Sequence, residues 1–237
     1  MCKTENLLNW GTIGNKSYTR HGFRGKSMDI IAQNQDDKKY IEEIICKTFK
    51  AVQDAYNYQK ESNPKLGDPN RLKLSQVVFP QKRDKSTRIS EQELRSIFVE
   101  QLNKKIHEGW DVYYSIETPT FGAYKGFRRG ETPRQDESGR SGEFDLVIFN
   151  NQLERIALIE FKANNASEHE HMKDYVKLNN PKEGDALRYF IEIVKSFDNG
   201  TLSSLRSKTE GNKPMFRCWS LEKGKDITED IRKAHEY

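Results

Sequence analysis

Cysteine is scarce in this chain: Cys2, Cys46 and Cys218 are the only three in 237 residues, and no two of them form a CxxC pair. That scatter argues against both a zinc knuckle and a disulfide framework, so reduced structural thiols are expected. Long apolar runs are missing too. None approaches the roughly 18 residues of a membrane span, and the opening MCKTENLLNW has no long apolar segment of the secretory kind. A cytoplasmic protein without membrane contact is the expectation. Nor is there a strong excess of one charge: 40 basic and 36 acidic residues leave +4, which permits a polyanionic partner without demanding one.

What is present points to a folded, highly charged molecule. Charged residues make up 32% of the chain and hydrophobic residues 34%, yet aromatics at 11% argue against disorder. A chain this long could bury roughly three quarters of its unfolded surface, as one substantial domain or two small ones.

The first third is hard to place, with a short strand as one reading of the MDIIAQ stretch. GTIGNKS there lacks the glycine spacing of a phosphate-binding loop, and no clear strand precedes it. From Asp37 to about Gln59, Ile41, Ile44, Ile45, Phe49, Val52 and Tyr56 recur at helical spacing, which predicts a long amphipathic helix. ESNPKLGDPNRLK breaks the pattern with two prolines and a glycine. The organisation expected is an N-terminal, mainly helical region over 1–85 and a second domain over 86–237.

A second helix opens at Ser90, with Glu93 placed as in a capping box and Leu94, Ile97, Phe98, Leu102 and Ile106 as its apolar stripe; Gly109 ends it. WDVYYSIETPT reads as a strand. FGAYKGFRRGETPRQDESGRSG then reads as a long loop, of a length that is usually functional. GEFDLVIFNNQLERIALIEFKAN reads as two strands and a polar turn. SEHEHMKDYVKL and DALRYFIEIVKSF look helical, and PMFRCWSLE looks like a late strand. The order from Ser90 onward is that of an α/β unit.

The strand pair carries the chemistry, because Asp145, Glu160 and Lys162 interrupt apolar runs and ionised groups cost several kcal/mol each to desolvate. A symmetric hairpin about Asn151 and Gln152 sets Asp145 opposite Glu160, Val147 opposite Leu158, and Phe149 opposite Ile156. Alternation then adds Lys162 to the acids' face and leaves Phe144, Leu146, Ile148, Ala157, Ile159 and Phe161 on the other. Two carboxylates about 4 Å apart repel by roughly 4 kcal/mol at an effective dielectric of 20. Lys162 offsets part of that; a hard cation such as Mg²⁺ or Mn²⁺ would offset more. A metal ion beside an ammonium suits phosphodiester hydrolysis.

FDLVIF with Asp145, followed by IALIEFKA with Glu160 and Lys162, resembles the PD-(D/E)XK nuclease superfamily, and the match extends over roughly Ser90 to Trp219. The resemblance implies a restriction endonuclease-like core, a mixed central sheet flanked by helices, and metal-dependent cleavage of DNA with Mg²⁺ as cofactor and Mn²⁺ as a substitute. It implies that Asp145 and Glu160 are metal ligands, that the Phe161 carbonyl adds a third, that Lys162 is the catalytic lysine, and that Glu93 helps bind the metal. A standalone member points to a restriction or defence endonuclease. Phe144 stands where the superfamily's name has proline. His171 and Tyr175 have the spacing of a glutamine and a tyrosine that touch the site in some branches.

Bland alternatives stand beside these. The strand charges could be a structural salt-bridge cluster, and the capping box alone explains Glu93. Glu117 and Glu143 read better as solvated strand-end acids than as ligands, and His169 and His171 as part of a solvated helix rather than a zinc site. Tyr124, Lys125, Arg128, Arg129 and Arg134, with Phe127, could track a phosphate backbone and stack on bases, or be an ordinary exposed loop; SYTRHGFRGK is read the same way. Two rival functions share the fold: a nucleic-acid-binding or scaffolding module without turnover, and a ribonuclease using the same metal site. Cutting both strands would suit a homodimer, with helix 37–59 as one candidate interface and packing within the chain as the other use of that face.

Overall fold

The structure, a computed structural model, describes residues 25–60 and 74–233, with side chains described over 35–58 and 74–233. Cys2, the GTIGNKS stretch, the ESNPKLGDPNRLK breaker and most of SYTRHGFRGK lie outside the described residues. The chain runs α1 (Gly25–Lys60), α2 (Glu91–His107), β1 (Tyr113–Lys125), β2 (Arg134–Gln135), β3 (Arg140–Phe149), β4 (Arg155–Ala163), α3 (Glu168–Leu178), a short 3₁₀ helix (Pro181–Glu183), β5 (Leu187–Val194), α4 (Asn199–Thr209), β6 (Met215–Ser220), β7 (Lys225–Asp226) and α5 (Thr228–Lys233). This is an α/β architecture with one seven-stranded mixed sheet in the order β2-β1-β3-β4-β5-β6-β7. The pairs β4–β5 and β5–β6 are parallel, and the others are antiparallel.

Helices cover both faces. Ile41, Ile44, Ile45, Phe49, Val52 and Tyr56 of α1 pack with Leu94, Ile97, Phe98 and Leu102 of α2 onto Leu146, Ile148, Ala157, Ile159 and Phe161 of the sheet. The apolar stripe of α1 is therefore used within the chain. Tyr175 and Leu178 of α3, Leu205 of α4 and Ile231 of α5 cover Val147, Leu158, Phe190 and Phe216 on the other face. Cys46 and Cys218 are free thiols, and no helix among the described residues is long and apolar enough to cross a membrane.

Four local expectations change. MDIIAQ belongs to α1, not to a strand. DALRYFIEIVKSF is not a helix: Leu187–Val194 forms β5, paired in parallel on both sides. A strand buried on both faces is a continuous apolar run, which periodicity cannot separate from a buried helix. The long loop shrinks, because β1 extends to Lys125 and β3 begins at Arg140, with β2 paired to the end of β1. Its glycines mark close approach: a Cβ at Gly122 would lie 2.0 Å from Asn180 Nδ2, and one at Gly139 2.1 Å from the Tyr124 carbonyl oxygen. Phe144 joins the α3 face, with the Lys177 ammonium 5.9 Å from its ring centre.

Candidate active site

The β3–β4 hairpin has the expected register in its middle, with Val147 opposite Leu158 and Ile148 opposite Ala157. A bulge near the turn then puts Phe149 opposite Arg155 instead of Ile156. At the far end the pairing stops at Leu146 with Ile159, one step short of Asp145 and Glu160. There the Asp145 carboxylate accepts a 2.7 Å hydrogen bond from the Phe161 backbone N–H, tying it across the strand gap. Asp145 keeps about a quarter of its side chain exposed (26%), whereas Glu160 is 1% exposed and Lys162 6%.

Two residues that sequence reasoning missed complete the cluster. Asp174 and Lys177 lie on α3, three residues apart and therefore on one side of it. Lys162 Nζ is 2.6 Å from Asp174 Oδ2, and Lys177 Nζ is 2.5 Å from Glu160 Oε1 and 2.9 Å from Asp174 Oδ1. Lys177 also donates to the Glu143 carbonyl at 2.8 Å, while Lys162 donates to its neighbour's carbonyl, that of Phe161, at 3.2 Å. The expected third metal ligand thus already accepts a hydrogen bond from the lysine beside it.

From α2 comes Glu91, not Glu93. Glu91 Oε2 lies 3.7 Å from Lys162 Nζ, and Arg95, one turn on, is 3.9 Å from Asp145. Glu93 is held away by Arg88 at 2.5 Å and by the Ser90 hydroxyl, which donates to its carboxylate. Two residues along a helix turn the side chain by about 200°, so these two acids face different neighbours. The Ser90 side chain bonds the Glu93 side chain rather than the helix backbone, so neither hydrogen bond of a capping box forms.

The electrostatics follow from burial and neighbours. Burial, then the charge of Asp174, push Glu160 well above the usual carboxylate range against the pull of Lys177. Burial acts on Asp174 too, but Lys177 and Lys162 outweigh it and hold that acid below its ordinary value. Asp174 faces two ammoniums at close range and Glu160 one. Burial disfavours the Lys162 ammonium, yet Asp174, Glu91 and Glu160 together raise it above an ordinary lysine. It is a fixed positive charge at neutral pH.

His171 and Tyr175 do not reach this cluster. Both stack on Phe190, with ring centres 5.1 and 4.7 Å away, and His171 Nε2 pairs with buried Glu192 at 2.8 Å. His171 is thus buried, not on a solvated face. Glu117 is an exposed acid beside Arg95 at 3.4 Å, and the Glu143 side chain is exposed.

A cavity of about 320 Å³ opens over the cluster, lined by Asp145, Glu160, Lys162, Asp174 and Lys177 with Phe127 and Ser141. A second groove, of about 810 Å³, shares Phe127 and Ser141 and is lined by Lys125, Arg128, Arg134 and Arg140. Of the residues expected on this track, Arg128, Arg129 and Arg134 are exposed, and Lys125 is exposed but 3.4 Å from Asp136. Tyr124 cannot stack on a base. It is 4% exposed, its ring is covered by Phe127 at 5.6 Å, and its hydroxyl lies between Asn180 and Glu183. Burial raises that phenol to about 12. Arg140, which sequence reasoning did not single out, lines the groove instead.

The donor chemistry suits a hard cation. Asp145 and Glu160 present carboxylate oxygens at one end of the hairpin, and Mg²⁺ commonly binds through one or two carboxylates while keeping several waters. Glu160 Oε1 is already paired with a cation, the Lys177 ammonium. Among the described residues, no three His, Cys, Asp or Glu side chains form a ready cage. Comparison with family models, curated proteins and solved structures finds no match.

Proposed function

We propose that the chain is a metal-dependent nuclease that hydrolyses phosphodiester bonds in DNA, built on a restriction endonuclease-like core. The observation that carries the proposal is the junction of two features: a basic groove meets, at Phe127 and Ser141, a pocket holding Asp145, Glu160 and Lys162. A phosphate backbone following the arginines would pass over the acid–lysine set.

Asp145 and Glu160 would hold the ion, which when bound would polarise a phosphate oxygen and lower the pKa of a water. Lys162, kept protonated by its acidic neighbours, donates hydrogen bonds to charge developing on the phosphate; it is a poor general base. Asp174 orients Lys162 through the 2.6 Å contact. Arg95 flanks Asp145 at 3.9 Å.

A second reading, a nucleic-acid-binding module without turnover, is favoured by the closed set of ion pairs that neutralises the cluster from within. Incubating plasmid, linear DNA and RNA with Mg²⁺ or Mn²⁺ separates these readings. Cleavage of DNA by the wild type, lost in Lys162→Ala, is the expected result. Salt-dependent binding with no cleavage favours the binding module, cleavage of RNA alone favours a ribonuclease, and cleavage undiminished in Lys162→Ala overturns the assignment of the site.

A further inference from the structure

Lys177 holds a position that a metal ligand set would not need for packing alone. Its ammonium touches three oxygens from three elements: Glu160 Oε1 of β4 at 2.5 Å, Asp174 Oδ1 of α3 at 2.9 Å and the Glu143 carbonyl of β3 at 2.8 Å. One N–H donates to the Glu143 carbonyl, and the same ammonium is ion-paired with both carboxylates. Carboxylate and carbonyl oxygens are also what a hard divalent ion selects. Lys177 is 6% exposed, so solvent does little to screen it.

Resting on the nuclease reading above, we propose that Lys177 is a resident counter-cation that competes with the divalent ion for Glu160 and thereby sets the metal affinity of the site. An ammonium at 2.5 Å from Glu160 Oε1 and a doubly charged ion on the same carboxylate repel each other strongly in a buried setting. Metal binding therefore requires the lysine to withdraw. In the metal-free protein the same ammonium compensates two buried carboxylates that would otherwise face each other. The stem has little spare room: a Cβ at Gly142 would lie 3.0 Å from Lys177 Cδ. The Gly142 backbone has no positive φ, so alanine meets no backbone strain there and acts by crowding the lysine.

The test is Mn²⁺ binding, read by calorimetry and by loss of the free-ion paramagnetic signal, without reference to turnover. Lys177→Met keeps the hydrocarbon stem and removes the charge; Gly142→Ala keeps the charge and displaces it. Lys177→Met is expected to bind Mn²⁺ at least tenfold more tightly than the wild type, with Gly142→Ala between the two, and Glu160→Gln introduced beside Lys177→Met is expected to remove the gain. If Lys177→Met fails to fold, the direction of the Gly142→Ala change decides. Wild-type binding with equal or weaker affinity in the folded variants overturns the competition and leaves the nuclease reading intact. No Mn²⁺ binding by any of the proteins at millimolar concentration overturns both.

Discussion

On the α1–α2 face of the hairpin, Leu146, Ile148, Ile159 and Phe161 pack in one apolar cluster with Leu94, Ile97 and Phe98; on the α3 face, Glu160 and Lys162, from the same strand, meet Asp174 and Lys177. Alternation along β4 places these two environments one residue apart. The dry face explains stability by burial alone. The charged face does not, because well-packed apolar residues in place of buried ion pairs are often neutral or stabilising. What the contrast teaches is that burial alone does not account for the charged face, and it is on that face that the proposed function rests.

The contrast breaks most visibly in activity. Lys162→Ala is expected to lower DNA cleavage by on the order of 10²-fold or more, measured as initial rates on plasmid with the fold verified by circular dichroism. Phe161→Ala, one residue away on the dry face, is expected to cost about 3–5 kcal/mol of unfolding free energy in urea, through lost burial and a residual cavity.

Glu160→Leu alone removes one of the two carboxylates paired with the buried Lys177 ammonium, leaving Asp174, and is expected to cost at most about 3–5 kcal/mol. Adding Lys177→Leu is expected to recover much of that loss, which a double-mutant cycle in urea measures. On the dry face no second substitution would rescue Phe161→Ala in that way. Along the groove the effects are smaller. Arg128→Ala and Arg140→Ala are each expected to weaken DNA binding across sequences and to lower the salt slope by about 1, read from binding isotherms at several salt concentrations.

The smallest effect lies where α1 meets α2, at an exposed ion cluster. Hydrogen bonds from Lys47 and Lys105 hold Glu43 down to about 2, against the opposing effect of burial. Its folded pKa is below its unfolded value, so its contribution is present above about pH 4.5 and is lost as pH falls toward 2. The difference in melting temperature between wild type and Glu43→Gln is expected to be small at pH 7 and to vanish across that window.

How much of this was legible in the sequence follows the range of the interactions. The α2 boundaries come from local signals at Ser90 and Gly109, and the structure has them at Glu91–His107. The Val147–Leu158 pairing follows from turn symmetry, and the bulge that shifts Phe149 is not encoded in apolar alternation. Glu160 and Lys162 stand out because charge in an apolar strand is anomalous. Their partners do not: Asp174 and Lys177 sit on a polar helix, and only tertiary packing reveals that its Asp174 side faces the site while His171 and Tyr175 face Phe190. Glu91 and Arg95 share a helical face at i, i+4, a signal that would have favoured them over Glu93 once the facing strand was known. The loss of β5 to a helix assignment has the same origin, since a strand covered on both sides carries no period of two.

The most direct test is a crystal soaked in Mn²⁺ and measured at a wavelength where manganese scatters anomalously. The expected result is a peak within coordination distance of both Asp145 and Glu160, with Lys177 drawn away from Glu160. A fully loaded crystal in which no peak lies near either carboxylate and Lys177 stays on Glu160 would contradict a metal-dependent site at this end of the hairpin.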